Sequence, residues 1–318
     1  MSSSGAVAAS NYPTPRRRDG IQSAVDEDAP PVVGGRMWAA SGNHFTPCEE
    51  ARDKLPPGNY RIAVTDRGIY FVKRGVETDA LLELPDSATE KILAAMKVFW
   101  TREAAYDEYG FIWKRGIMLY GPPGGGKTST IELLSNILIK DMHGIVVHVD
   151  DPGAAVAGLE AFRFIEPETP LLMVIEDIDA VIQNRNESAL LNLLDGEFQT
   201  KNIVVIATTN YPERIDKRIM NRPSRFDVLV KIDLPTAPAR KMYLERTNKR
   251  FQRDPEGTKE ELAKWVADTN NFSVAHLKEL IIAVEVLGET YTNSLSRLRE
   301  MLSIKLSSTD TGSKLGFA

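Results

Sequence analysis

An apolar run, Gly116-Ile117-Met118-Leu119-Tyr120, leads straight into Gly121-Pro122-Pro123-Gly124-Gly125-Gly126-Lys127-Thr128, and Ser129-Thr130-Ile131-Glu132-Leu133-Leu134 follows. No other stretch limits the fold so tightly. Glycines at these positions let backbone N–H groups converge on phosphate oxygens, the lysine reaches the β- and γ-phosphates, and the threonine hydroxyl stands where a Mg²⁺ ligand is needed. Strand, loop and helix N-terminus together put the phosphates at the positive end of a helix dipole. Residues Gly121 to Ser129 therefore predict a P-loop for ATP and Mg²⁺, with Thr128 as a metal ligand.

Further strand-like runs occur at 144–149, 171–175, 203–207 and 228–232, separated by helical or loop segments. Continuous apolar strands alternating with helices predict an α/β fold, a five-stranded parallel sheet covered on both faces in three αβα layers. After Pro235 the strand pattern stops. Helices are expected at 238–251, 259–268, 274–287 and 290–305, the second beginning at a capping box, Thr258-x-x-Glu261. On the third, Val274, Leu277, Leu280, Ile281, Val284 and Leu287 share a face. Upstream, 59–64 and 69–72 flank Thr65-Asp66-Arg67-Gly68 as a β-hairpin. Ser87-x-x-Glu90 is a second capping box, before a helix bearing Ile92, Leu93, Met96, Phe99 and Trp100. The expected organisation is a disordered tail over 1–35, a small hairpin module over 36–84, an ATPase core over 85–235, a helical lid over 236–306 and a flexible tail over 307–318.

Composition narrows the class. The 318 residues are 42% hydrophobic and 26% charged, as in an ordinary soluble domain. The net charge of −5 argues against broad electrostatic binding to nucleic acid. Arg16-Arg17-Arg18 is followed by Asp19 and by Asp26-Glu27-Asp28, so it reads as a solvated charge run. Cys48 is the only cysteine, which excludes an intramolecular disulfide and fits a reducing, cytoplasmic compartment. No apolar run is long enough to span a bilayer, and no membrane association is expected. His44, His143, His148 and His276 share no metal-ligand spacing.

Three further clusters carry chemistry. Leu171 to Ile175 ends in Glu176-Asp177, a buried strand that delivers carboxylates at its C-terminal edge, as a Walker B strand does. Ordinary surface acids are the competing reading, and the preceding P-loop weighs against it. The strand at 203–207 runs into Thr208-Thr209-Asn210, placing an amide where it can hydrogen-bond an attacking water or the γ-phosphate. A turn-forming Asn before Pro212 is the alternative. Arg222 and Arg225 follow, just before the last strand, two guanidiniums suited to a phosphate or, more blandly, to surface ion pairs.

These elements in this order resemble the AAA family of the AAA+ ATPases, over about Leu84 to Leu287. Tyr109-Gly110-Phe111-Ile112-Trp113-Lys114-Arg115-Gly116, Leu190-Leu191-Asn192-Leu193-Leu194-Asp195-Gly196 and Thr208-Thr209-Asn210-Tyr211-Pro212-Glu213-Arg214-Ile215-Asp216 are similar to its bcs-type branch. The resemblance implies that Glu176 holds Mg²⁺ water, that Asp177 polarises the attacking water and that Asn210 is sensor 1. It also implies that Arg222 and Arg225 act in trans as arginine fingers within a homohexamer or heptamer. By analogy Leu82, Leu84 and Ala275 line the adenine pocket, and Asp195-Gly196 relays state between subunits, although a glycine there is equally an ordinary helix cap. The order Glu-Asp departs from the Asp-Glu of most AAA proteins and is shared by the bcs-type branch. Gly125 stands where Thr or Ser is usual. Asp150 to Gly158, the expected pore-loop segment, contains no aromatic.

The resulting expectation is a ring-forming ATPase that remodels or translocates an unidentified protein client. A nucleotide-gated scaffold with little hydrolysis is the competing reading, motivated by the short Asp177 side chain. A DNA-linked motor or loader is less favoured by the acidic charge balance.

Overall fold

In the computed structural model the described residues are 37–41, 44–48, 52–66, 68–75, 82, 84, 88–183, 187–195, 201–220, 222 and 225–303. Both predicted tails lie outside them, as do Ser87 of the first capping box and Gly196. The strands are β1 (Met37–Ser41), β2 (His44–Cys48), β3 (Gly58–Thr65), β4 (Gly68–Arg74), β5 (Lys114–Tyr120), β6 (Ile145–His148), β7 (Leu171–Ile175), β8 (Ile203–Thr209) and β9 (Val228–Lys231). Helices before Thr236 are α1 (Ala88–Phe99), α2 (Glu103–Glu108), α3 (Lys127–Asp141), α4 (Pro152–Ile165), α5 (Ile178–Val181), α6 (Glu187–Asp195) and α7 (Lys217–Met220). Those beyond it are α8 (Ala237–Thr247), α9 (Lys249–Arg253), α10 (Lys259–Asp268), α11 (Val274–Ile281) and α12 (Tyr291–Ser303).

Strands β1 and β2 pair antiparallel in a unit of their own. The remainder is built on one sheet in the order β4-β3-β6-β7-β8-β5-β9. Its pairings from β3 through β9 are parallel, and only β4 runs antiparallel to its neighbour. The expected sheet of five strands is thus a seven-stranded one. The hairpin β3–β4 joins it because β3 lies in parallel register with β6, Asn59 opposite Val146 and Arg61 opposite His148. Two features bring it there. Tyr60 is buried and Phe71 packs on Phe162 of α4. Gly158 of α4 also lets Ile62 approach so closely that an added Cβ would sit 2.4 Å from Ile62 Cγ2.

Alternation along the strands divides the core between the two faces. Ile145, Val147, Leu171, Met173, Val205 and Ala207 face α4 and α6, with Leu159, Phe162, Leu190 and Leu194. Val146, Leu172, Val174, Val204, Ile206, Ile117 and Leu119 face the opposite layer. There they meet Ile92, Leu93 and Met96 of α1 and Ile131, Leu134 and Leu138 of α3. Each fully buried aliphatic side chain of this kind contributes about 1.5–3 kcal/mol.

The helices after Thr236 enclose a third core around Trp265, Phe272, Leu277, Leu280 and Leu298. Two details differ from the helical periodicity. The helix expected over 238–251 breaks at Asn248, which takes extended backbone (ψ 110°) and whose side chain caps Arg250 N–H at 2.9 Å. The capping box at Thr258 does not form. Its hydroxyl donates to Asp254 O instead, and Glu261 pairs with Arg250. Among the described residues no helix is long and apolar enough to cross a membrane.

Candidate nucleotide site

The C-terminal ends of β5, β7 and β8 converge on one cavity of about 900 Å³. Strand β8 lies between β7 and β5, so its tip stands between the acids and the glycine loop. The loop turns from β5 into α3 through backbone that only glycine adopts freely. At Gly124, φ is 73°, and an added Cβ would lie 2.6 Å from Ser273 Oγ at the start of α11. The loop therefore touches the start of α11 directly. Ser273 in turn caps α11 and lies 2.6 Å from His276 Nδ1.

Lys127 opens α3. Its Nζ donates to Gly121 O and Pro122 O, both at 2.9 Å, beneath the loop it belongs to. Burial lowers its pKa from the ordinary lysine value, and the nearby Asp177 opposes that shift. Thr128 Oγ1 donates to Glu176 Oε1 at 3.0 Å.

Strand β7 is apolar throughout and ends at Glu176, after which the chain turns sharply. Asp177 takes φ 46° and ψ 54°, a left-handed conformation costly for a residue with a side chain. Two groups, one on β8 and one just after it, hold the turn. The Thr208 hydroxyl accepts Asp177 N–H at 3.1 Å, and Asn210 Nδ2 donates to Asp177 Oδ1 at 3.3 Å. Beneath them the Thr209 hydroxyl donates to buried Asp179 at 2.7 Å and accepts Tyr211 N–H at 3.0 Å. The backbone on both sides of Asn210 is thereby fixed to the start of α5.

Gly124 to Ser129, Glu176, Asp177 and Asn210 all line this cavity, as do Leu82, Leu84 and Ala275. Leu82 and Leu84 also pack against the core of the helices after Thr236. Several residues were not anticipated. Tyr243, Lys278 and Thr236 line the cavity from the helical side. Lys278 stands one turn beyond Ala275, which helical periodicity could have flagged. The hydrogen bonds of the Thr208–Thr209 pair had no signal in the sequence.

Arg222 and Arg225 are brought together, but away from the cavity. Both meet Asp195 at the end of α6: Arg225 Nε lies 2.7 Å from Oδ1, Arg225 Nη2 also donates to Oδ2, and Arg222 Nη1 lies 3.0 Å from Oδ2. The Arg225 hydrogen bond, aided by the charges of both arginines and of Lys114, lowers the Asp195 pKa against a smaller opposing effect of burial. The segment Asp150 to Gly158 is the start of α4. Asp151 caps it, Pro152 occupies its first turn, and Asp150 pairs with Arg61 of β3.

A glycine loop with its lysine at a helix start, facing paired acids on the next strand but one, defines a P-loop nucleoside triphosphatase. Residues 117–234 match the model of the ATPase family associated with various cellular activities (AAA). The ATPase family gene 2 protein of Saccharomyces cerevisiae is 29% identical over 211 residues, 61% of this chain and 27% of the yeast protein. A cell division cycle protein 48 homolog of Archaeoglobus fulgidus is 31% identical over 182 residues, 52% of this chain and 24% of that protein. The proteasome-associated ATPase of Mycobacterium tuberculosis is 28% identical over 235 residues, 58% of this chain and 38% of that protein. The matched segment is a domain of the AAA ATPases, and that domain is that of an ATP hydrolase. The chain spans less than two-fifths of the length of each of these relatives.

Proposed function

We propose that this chain assembles into a ring, a hexamer in the simplest case, hydrolyses Mg-ATP and uses that cycle to remodel or move a macromolecular partner, above all a protein. The observation that carries the reading is the separation between the cavity and the arginine pair. Arg222 and Arg225 are absent from the cavity wall and gather on Asp195. A γ-phosphate stabilised by either arginine is then that of a neighbouring copy. Proteins of similar sequence include one named for its association with the proteasome, which supports a protein partner. A chain with a single cysteine suits the cytoplasm.

Within one subunit the roles follow from position. The loop's N–H groups and Lys127 bind and orient the phosphates. Thr128 and Glu176 offer a hydroxyl and a carboxylate oxygen 3.0 Å apart at the cavity. Such hard oxygen donors fit Mg²⁺, which takes few protein ligands and keeps several waters. The ion when bound supplies charge neutralisation at the phosphates. Asp177 accepts the proton of the attacking water, and Asn210, already bonded to it, orients that water. Leu82, Leu84 and Ala275 cover the base. The helical start of α4, with no aromatic between Asp150 and Gly158, favours displacement of a folded partner over threading of an extended chain.

The test is the dependence of ATPase rate on protein concentration. Specific activity is expected to rise as subunits assemble. Mixing Arg222→Ala/Arg225→Ala with Asp177→Asn should restore part of the activity, because intact arginines of one protein meet intact carboxylates of the other. A trans arginine contributes roughly 10³–10⁵ in rate. Concentration-independent turnover by a species that stays monomeric in ATP would exclude the ring.

A further inference from the structure

The two arginines before β9 are not equivalent. The Arg225 side chain is 7% exposed, whereas that of Arg222 is 59% exposed. Arg225 uses its whole guanidinium inside its own subunit. Nε and Nη2 grip the two oxygens of Asp195 as a fork, and Nη1 donates to Arg218 O at 2.7 Å. Its backbone is held as firmly. The Arg225 carbonyl packs against Gly116 of β5, and the Asp227 carboxylate accepts Gly116 N–H at 2.8 Å. Arg222 makes one bond to Asp195, at 3.0 Å, from an exposed position.

The physical difference follows. A forked Arg–carboxylate pair whose arginine is buried separates only by leaving that guanidinium unpaired away from water. A single exposed ion pair exchanges readily with water or with another anion. Asp195 is itself fixed by the end of α6, where Lys114 Nζ donates to Leu194 O at 2.5 Å.

We propose that Asp195 and Arg225 form a fixed mount, and that Arg222 alone leaves it to meet the γ-phosphate of a neighbouring copy, which makes Asp195 and Arg225 positioning residues for phosphoryl transfer. This rests on the trans reading given above. Asp195 holds Arg222 near the subunit edge by a bond weak enough to yield to a triphosphate, and Arg225 keeps Asp195 in place when Arg222 departs.

The experiment compares Arg222→Ala, Arg225→Ala, Asp195→Asn and Arg222→Ala/Asp195→Asn in the full chain. Thermal midpoints are measured without nucleotide, and kcat and KM for ATP across protein concentration, with radiolabelled ATP for slow variants. Arg222→Ala should keep the wild-type midpoint and lose about 10³-fold or more in kcat. Arg225→Ala should lower the midpoint by several degrees. Asp195→Asn should lower kcat with KM unchanged, and should add nothing once Arg222 is gone, because it acts through that residue. Where Arg225→Ala does not fold, Arg225→Lys keeps the charge without the fork and is expected to lower the midpoint as well. An Arg225 variant with a wild-type midpoint and the same rate loss as Arg222→Ala would overturn the proposal by making Arg225 a second finger. Equal losses from Asp195→Asn with and without Arg222 would overturn it too. A wild-type rate that does not rise with concentration refutes the ring itself, and the Arg222 role with it. A rising rate with equivalent arginines refutes only the mount.

Discussion

The Thr208 hydroxyl accepts the backbone N–H of Asp177 at 3.1 Å, and Asp177 occupies a left-handed turn. A hydroxyl at the tip of one strand thus stabilises the strained residue at the tip of the next. The strain costs about 1–2 kcal/mol, similar to the contribution of one hydrogen bond. Thr208→Val keeps the shape and removes the acceptor. The expected outcome is a drop in kcat of about tenfold with nucleotide affinity unchanged, since Asp177 is displaced while the phosphate loop is intact. Kinetics alongside a nucleotide titration decide it. A weakened Kd at unchanged kcat would place Thr208 in binding instead.

Lys127 is the charge beneath the phosphate loop. Lys127→Ala should weaken ATP binding about 10- to 100-fold, the scale of a charge-assisted hydrogen bond of about 1.5–3 kcal/mol. Direct titration with labelled ATP measures this. Unchanged affinity would remove the P-loop from the account of binding.

The two acids at the end of β7 should separate by variant. Asp177→Asn is expected to keep Mg-ATP bound and to lower turnover by about 10²–10⁴, the range for loss of a general base. Glu176→Gln should instead raise the Mg²⁺ concentration needed for half-maximal rate. Magnesium titrations of both variants distinguish the roles. Identical behaviour would merge them.

His148 gives the fold an acid sensitivity. It lies on β6 with Nε2 3.1 Å from Asn59 Oδ1 of β3. Burial first, then Arg74 and Arg61, push its pKa from 6.5 down to about 4, against an opposing Asp150. The unfolded chain therefore takes up this proton at higher pH than the folded one. The contribution is full above about 6.5 and is lost progressively as pH falls towards about 4. His148→Gln should flatten the thermal midpoint against pH over that window. An unchanged slope would assign the acid sensitivity to other groups.

Much of the candidate nucleotide cavity was legible because its parts are local in sequence. Gly121 to Thr128 carries its strand and helix on either side, and Leu171 to Asp177 is a complete strand with its acids. What could not be read was pairing between distant elements. Nothing near Tyr60 announces that β3 lies beside β6, because that choice is made by the fit of Ile62 against Gly158 and of Phe71 against Phe162. Arg222 and Arg225 look alike as residues three apart; only the arrival of Asp195 from α6 separates a fork made by a buried arginine from an exposed single bond. Thr258 fitted a capping pattern, yet Asp254 O lies within reach of its hydroxyl, and Arg250 engages Glu261. Local patterns identify what a residue can do, and tertiary neighbours decide which option it takes.

The insertion of β3 beside β6 also sets the order in which the chain can mature during synthesis. Asn59 and His148 meet across a sequence separation of 89. The hairpin leaves the ribosome before β5, the glycine loop and α3, yet the second edge of its inner strand has nothing to pair with until β6 emerges and nothing to cover it until α4 does. An isolated two-stranded hairpin is marginal in water, and closing so long a loop precedes any reward from the contacts it makes. The first strands of this sheet made are therefore among the last secured. Through that interval Tyr60, Ile62 and Phe71 stand uncovered, and the nascent ATPase has its greatest need of protection from aggregation before its nucleotide site exists.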